Sequence, residues 1–227
     1  MKNQLIKNQL LVAEFLATPW ALMPERLSAL ATVISRWSHG APASDAAKFQ
    51  VQTDRVLRDT RRQTSAAISG GDIAVIPIYG VITQRGNMVD DVSGPGMVST
   101  QIITQMLRQA VADDAVSQIL LDIDSPGGSV YGVSELSDVI LSARAQKPVV
   151  AIANSLAASA AYWVGSQASE FYVTAGGEVG SIGVWQAHQD YSKAMDEAGV
   201  KTTLISAGKF KVEGNPYAPL DEEAQGF

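Results

Sequence analysis

Cysteine is absent from this 227-residue chain. Disulfides, thiolate nucleophiles and thiolate metal sites are therefore excluded. Histidine occurs only twice, at His39 and His188, too sparse and scattered for a zinc site, so no metal is expected. No apolar run approaches the roughly 20 residues that a membrane-spanning helix needs. The first residues, Met1 to Leu11, mix Lys2 and Lys7 with glutamine and asparagine and lack the apolar core of a secretory signal. These absences set the expectation of a soluble, cytoplasmic protein.

What is present suits a globular chain with one sizeable core: 46% of residues are hydrophobic and 18% charged. Charge is unevenly spread. Residues 1–71 carry 9 Lys and Arg against 5 Asp and Glu, whereas residues 72–227 carry 8 against 18. An acidic body argues against nucleic acid as the main partner.

Three segments follow from the patterning. Residues 1–38 read as a helical extension: a short helix over Leu10 to Leu16 stops at Thr18-Pro19, and Pro24-Glu25 opens a second with Leu27, Leu30, Ala31, Ile34 and Trp37 on one face. Residues 39–71 turn polar and read as a linker with one helical piece over Phe49 to Arg62. The main domain is expected over 72–227. Its strands are Ile73 to Ile82, with Pro77 and Gly80 marking an edge or bulge, Gln118 to Asp124 and Pro148 to Ala153. Shorter ones are expected at Glu170 to Val173, Ile182 to Trp185 and Thr202 to Ile205. Between them lie a glycine-rich loop (Asn87 to Gly96) and three amphipathic stripes: Ile102, Ile103, Met106, Leu107, Ala110 and Val111; Val130, Val133, Leu136, Val139, Ile140 and Ala143; and Tyr191 to Ala198. Strand–helix alternation predicts βαβ crossovers and a mostly parallel α/β sheet, with function beyond the carboxyl ends of the strands.

Two such ends attract attention. Asn154 to Trp163, Asn-Ser-Leu-Ala-Ala-Ser-Ala-Ala-Tyr-Trp, reads as a strand-to-helix turn with helix running on to Ser166. A serine there exposes its hydroxyl at the positive end of a helix. Ser159 is the candidate nucleophile, although such a serine is also an ordinary cap or packing residue. Ser125-Pro126-Gly127-Gly128 reads as a tight turn with backbone N–H groups that suit an oxyanion; the plain alternative is a βα turn. A serine nucleophile needs a base. His188 is one option. A desolvated lysine is another, and Lys209 and Lys211, in Gly208-Lys209-Phe210-Lys211, are two of only four lysines after residue 150.

Four motifs in order, Asp122 to Gly128, Ala157 to Trp163, Gly180-Ser181-Ile182-Gly183-Val184 and Gly208 to Lys211, resemble the signal peptide peptidase A (protease IV) family of serine/lysine peptidases, over about Asp72 to Asp221. The resemblance implies a ClpP/crotonase-like fold and no cofactor. It implies Ser159 as nucleophile, Lys211 rather than Lys209 as general base, and Ser181 as the residue orienting the lysine. The oxyanion donors it implies are the backbone N–H groups of Gly127 and Ala160, with Gly128 beside them. Alanines 160 and 161 replace the family's usual glycines. Family members continue beyond the position of Phe227, so the peptidase domain is expected to be truncated at its C-terminus.

Thr18 to Pro24 followed by an amphipathic helix is similar to the phage and prophage branch, whose members act in capsid assembly as prohead proteases on scaffold and portal proteins. The resemblance also implies a homo-oligomeric ring in which, for some members, the lysine reaches the serine from the adjacent subunit. Polypeptide substrates are expected, without nucleic acid or a membrane span. The alternatives are a signal-peptide-degrading peptidase of the same family, a crotonase-like acyl-CoA enzyme using the same oxyanion turn, and a non-catalytic capsid assembly partner.

Overall fold

The computed structural model describes residues 19–23, 72–85, 97–186, 188, 190–208, 210–220 and 222. The helices expected over 10–16 and 24–37, the linker helix over 49–62, the loop at 87–96, His39 and Lys209 lie outside the described residues. The chain divides into two compact units, Met1–Trp185 and Gln186–Phe227.

The first unit is built on a parallel sheet. Strands β2 (Ile73–Tyr79), β5 (Gln118–Ser125), β7 (Val149–Ala158) and β8 (Glu170–Val173) lie in the order β2-β5-β7-β8, and β9 (Glu178–Gly180) pairs with the far half of β7. Every pairing in this sheet is parallel, as βαβ alternation requires. β5 is central, and β2 takes an edge, where Pro77 withholds no ladder bond that the sheet needs. Alternation sets the buried face: Ala74, Ile76 and Ile78 from β2, Ile119, Leu121 and Ile123 from β5, and Val149, Ala151 and Ala153 from β7 are all buried.

Helices α1 (Thr100–Ala112) and α2 (Val133–Arg144) supply the apolar stripes of this core. Ile103, Leu107 and Ala110 of α1 are buried, as are Val133, Leu136, Ile140 and Ala143 of α2. The expected stripes hold with two corrections. Ile102 is 54% exposed, because the buried stripe of α1 runs one position further round, and Val130 precedes its helix. Ser99 caps α1, accepting from the Ile102 N–H at 3.4 Å. At its other end Lys147 Nζ donates to the Ala110 and Asp113 carbonyls at 3.0 and 2.5 Å, a cation where the helix dipole is negative.

A second sheet, in the order β1-β6-β3-β4, joins β1 (Trp20–Leu22), β6 (Gly127–Ser129), β3 (Val81–Thr83) and β4 (Met97–Ser99). Here two expectations are corrected. The strand foreseen over Ile73 to Ile82 breaks at Gly80, which takes φ 78°, and its remainder moves to the second sheet. Gly127-Gly128, expected in a tight turn, is extended strand pairing with β3 and β1. Buried Ser125 fixes both departures. Its Oγ donates to the Gly80 carbonyl at 2.6 Å and accepts the Gly127 N–H at 3.2 Å.

In the second unit the expected helix appears as α4 (Ser192–Glu197). Thr202 to Ile205, expected as a strand, forms none, and Ile205 is 96% exposed. A strand needs a neighbour for its N–H and C=O groups, and among the described residues no strand lies beside it. His188 Nε2 is 3.0 Å from the Asn215 carbonyl oxygen. Among the described residues no helix is long and apolar enough to cross a membrane.

Because Leu121 is fully buried at the centre of the parallel sheet, Leu121→Ala is expected to lower unfolding free energy by about 2–5 kcal/mol. Urea titration followed by circular dichroism measures this.

Candidate active site

The strand that carries Ser159 is longer than its sequence suggests. Val149–Ala153 pairs with β5 on one side and β8 on the other. The chain then bends at Ser155 (φ 137°), and Leu156–Ala158 resumes as strand against β9. The strand-to-helix turn expected over Asn154 to Trp163 is thus confined to Ser159, with strand running up to Ala158.

The turn falls at Ser159, with φ 54° and ψ −116°. Such backbone costs a non-glycine residue about 1–3 kcal/mol and persists only where its surroundings impose it. They do so here through two bonds. The Ser159 N–H donates to the Gly180 carbonyl at 2.7 Å, and its own carbonyl accepts the Trp163 N–H at 2.9 Å. Helix α3 (Ala160–Gly165) follows, with Ala160 and Ala161 fully buried. The Ser159 side chain is 6% exposed, and its Oγ lies 3.4 Å from the Gly183 carbonyl oxygen, too long to hold the hydroxyl firmly.

Three of the four sequence motifs meet at this point. Gly180 and Gly183 bind Ser159 through their carbonyls, and between them Ser181 takes φ 52° and is exposed. From β6, Gly127 (φ 98°) approaches so closely that a Cβ built on it would lie 3.0 Å from Ser159 Cβ and 3.0 Å from the Ala158 carbonyl oxygen. A Cβ on Gly128 would meet the Ile82 backbone at 1.9 Å. Both glycines answer a demand for space. The Ala160 N–H lies in the first turn of α3, where a helix has no internal acceptor. Gly127 directs its N–H at Ser125 Oγ. Lys211 belongs to the second unit, where it is exposed on the turn Lys211–Gly214.

Beside the serine is a pocket of about 350 Å³ lined by Ala21, Tyr162, Trp163, Ile182 and Val184 among others, suited to an apolar side chain. Sequence reasoning did not find this lining, nor the part played by Ser125. The motif Ser-Pro-Gly-Gly contained that residue, but its hydrogen bond to Gly80, 45 positions away, has no local signal. Among the described residues no cluster of acidic or histidine side chains is placed to hold a metal.

A parallel sheet whose strand ends bring a strained serine against glycine backbone from a second, smaller sheet places this chain in the ClpP-like α/β class. Residues 75–172 match the Clp protease family and residues 142–227 match peptidase family S49. Over residues 142–227 the chain is thus similar to the S49 peptidases. It is 40% identical to capsid assembly protease C of Escherichia phage lambda over 165 residues, which are 73% of this chain and 37% of that protein. It is 38% identical to the head-tail preconnector protein GP5 of Enterobacteria phage P21 over 80% of this chain and 36% of that one. Protease 4 of Salmonella typhi matches at 32% over 62% of this chain and 22% of its own length. The chain spans less than two-fifths of the length of these relatives.

Gly127→Ala should place a methyl group among backbone atoms at positive φ. It is expected to lower the melting temperature and to abolish labelling of Ser159 by a fluorophosphonate. Gly176→Ala, whose Cβ meets nothing within 4 Å, should change neither; calorimetry and intact-mass spectrometry measure both.

Proposed function

We propose that this chain is a serine endopeptidase in which Ser159 is the nucleophile and Lys211 the general base. The observation that carries the reading is the backbone of Ser159: a buried, non-glycine residue held at φ 54°, with a glycine strand against one side and an apolar pocket against the other. Ser155 and Ser181 also take positive φ but are exposed; among the described non-glycine residues Ser159 alone combines that backbone with burial.

In the proposed reaction the neutral Lys211 amine takes the Ser159 hydroxyl proton as Oγ attacks the peptide carbonyl. The oxyanion is stabilised by the backbone N–H groups of Ala160 and Gly128, worth several kcal/mol when preorganised, and by that of Gly127 only where it leaves Ser125 Oγ. The lysinium returns its proton to the departing amine, leaving an acyl ester on Ser159. Water then attacks that ester, giving its proton to the amine, and the lysinium returns the proton to Ser159 Oγ as the carboxylic acid product leaves. Ser181 orients the lysine. The phage relatives, one named for capsid assembly and one for the head-tail preconnector, favour capsid proteins of the scaffold and portal kind as substrates. A homo-oligomeric ring, with the base supplied within or between subunits, completes the proposal.

Ser159→Ala and Lys211→Ala are each expected to lower kcat/KM for a peptide substrate by on the order of 10⁴-fold with the fold retained, whereas Lys209→Ala keeps activity. Full activity in Lys211→Ala, or acyl-CoA turnover without labelling of Ser159, overturns the dyad.

A further inference from the structure

Strand β1 lies where a substrate would be expected to lie. Ala21 is opposite Gly128 and Leu22 opposite Gly127 in an antiparallel ladder. The Met23 N–H donates to the Pro126 carbonyl and the Val130 N–H to the Pro19 carbonyl, both at 3.2 Å. Those two flanking bonds make Ala21 and Gly128 the hydrogen-bonded pair, which exchanges both N–H···O=C bonds. The other edge of β1 is filled as well. Trp20 and Trp185 exchange backbone bonds at 2.9 and 3.0 Å, and the Trp185 indole N–H donates to the Leu22 carbonyl at 3.2 Å.

A five-residue segment is thereby clamped by main-chain bonds on both edges, the mode in which extended peptides are held whatever their sequence. Its position relative to the nucleophile is the telling feature. A Cβ built on Gly127 would stand 2.3 Å from the Ala21 carbonyl oxygen and 3.0 Å from Ser159 Cβ, so that carbonyl and the serine flank one point in space. The carbonyl also receives an N–H from a residue of the proposed oxyanion set, and Ala21 lines the Ser159 pocket. Ala21 and Leu22 are 2% and 1% exposed, so the groove has no room for a second strand while β1 is in it.

Resting on the peptidase reading above, we infer that Pro19–Met23 occupies the substrate-peptide groove as an internal competitor, and that the enzyme is held closed until this segment leaves. The groove takes an extended polypeptide with a small residue at the Ala21 position and a large apolar one at the Leu22 position. Admission of substrate requires the Trp20–Trp185 and Ala21–Gly128 bonds to open together. Activity then scales with the open fraction.

The test uses the full chain. Trp20→Pro removes the N–H given to Trp185, and Ala21→Pro removes the N–H given to Gly128. Each is expected to raise the rate of fluorophosphonate labelling at Ser159 and of casein cleavage, by about tenfold if the closed form holds roughly nine-tenths of the molecules. The synthetic pentapeptide Pro-Trp-Ala-Leu-Met, added in excess, should bring the rate back down. Unchanged or slower labelling in variants with native circular dichroism overturns the inference. Should both proline variants fail to fold, Trp185→Phe, which loses only the indole bond to Leu22, is expected to give a smaller rise in the same direction; no rise counts against it. Absence of labelling in every variant defeats the peptidase reading instead. In that case anisotropy of a fluorescent pentapeptide still decides the groove: binding to Ala21→Pro but not to wild type supports an internal occupant, and equal or no binding rejects it.

Discussion

The first unit depends on one constraint, that the chain must leave the middle of a parallel sheet and enter a helix within a single residue. Ser159 is that residue. It accepts a positive φ because the Gly180 carbonyl and the Trp163 N–H hold it from two sides. Alanines 157, 158, 160 and 161, buried around it, leave no side-chain volume to resist. Larger residues there would push β6 away and separate Gly127 from the serine. The compact turn, the approach of the glycine strand and the apolar pocket are three consequences of one packing condition.

Ser125 extends the condition to the second sheet. Where β2 and β5 end, the chain crosses to β3 and β6, and one buried hydroxyl ties both crossings by donating to Gly80 and accepting from Gly127. The five-stranded sheet thereby sets the position of the smaller one, although the two share no strand. The same economy of space shapes β1. Its small central residue, Ala21, lets a strand lie between β6 and Trp185 while keeping a carbonyl near Ser159. On the reading proposed above, catalysis and its restraint draw on the same few ångströms, because an open strand edge attracts any extended segment, the chain's own included.

Much of this was legible in the order of residues. Periodicity located β2, β5, the opening half of β7 and the stripes of α1 and α2, because the hydrophobic effect acts on each element separately. The motifs around Gly127, Ser159 and Ser181 were readable for a related reason: each is short, and its small residues mark close approach. The failures have a common physical cause. The turn expected over Asn154 to Trp163 narrows to Ser159, because pairing of Leu156–Ala158 with β9 keeps the chain extended up to it. Gly127-Gly128 looks like a turn, and becomes strand only because β1 and β3 arrive on its two edges. Thr202 to Ile205 has strand composition but no neighbour among the described residues. Backbone hydrogen bonds between distant segments decided each case, and single-element patterns do not contain them.

By itself the sequence determined which residues are buried and which are small, and hence the parallel core, the candidate serine and the family resemblance. Those properties follow from the side chains one at a time. Tertiary structure alone decided which backbone groups face one another: Gly80 with Ser125, Gly127 with Ser159, Ala21 with Gly128. Main-chain N–H and C=O groups are the same in every residue but proline, so a sequence carries no label for their partners until the fold brings the segments together.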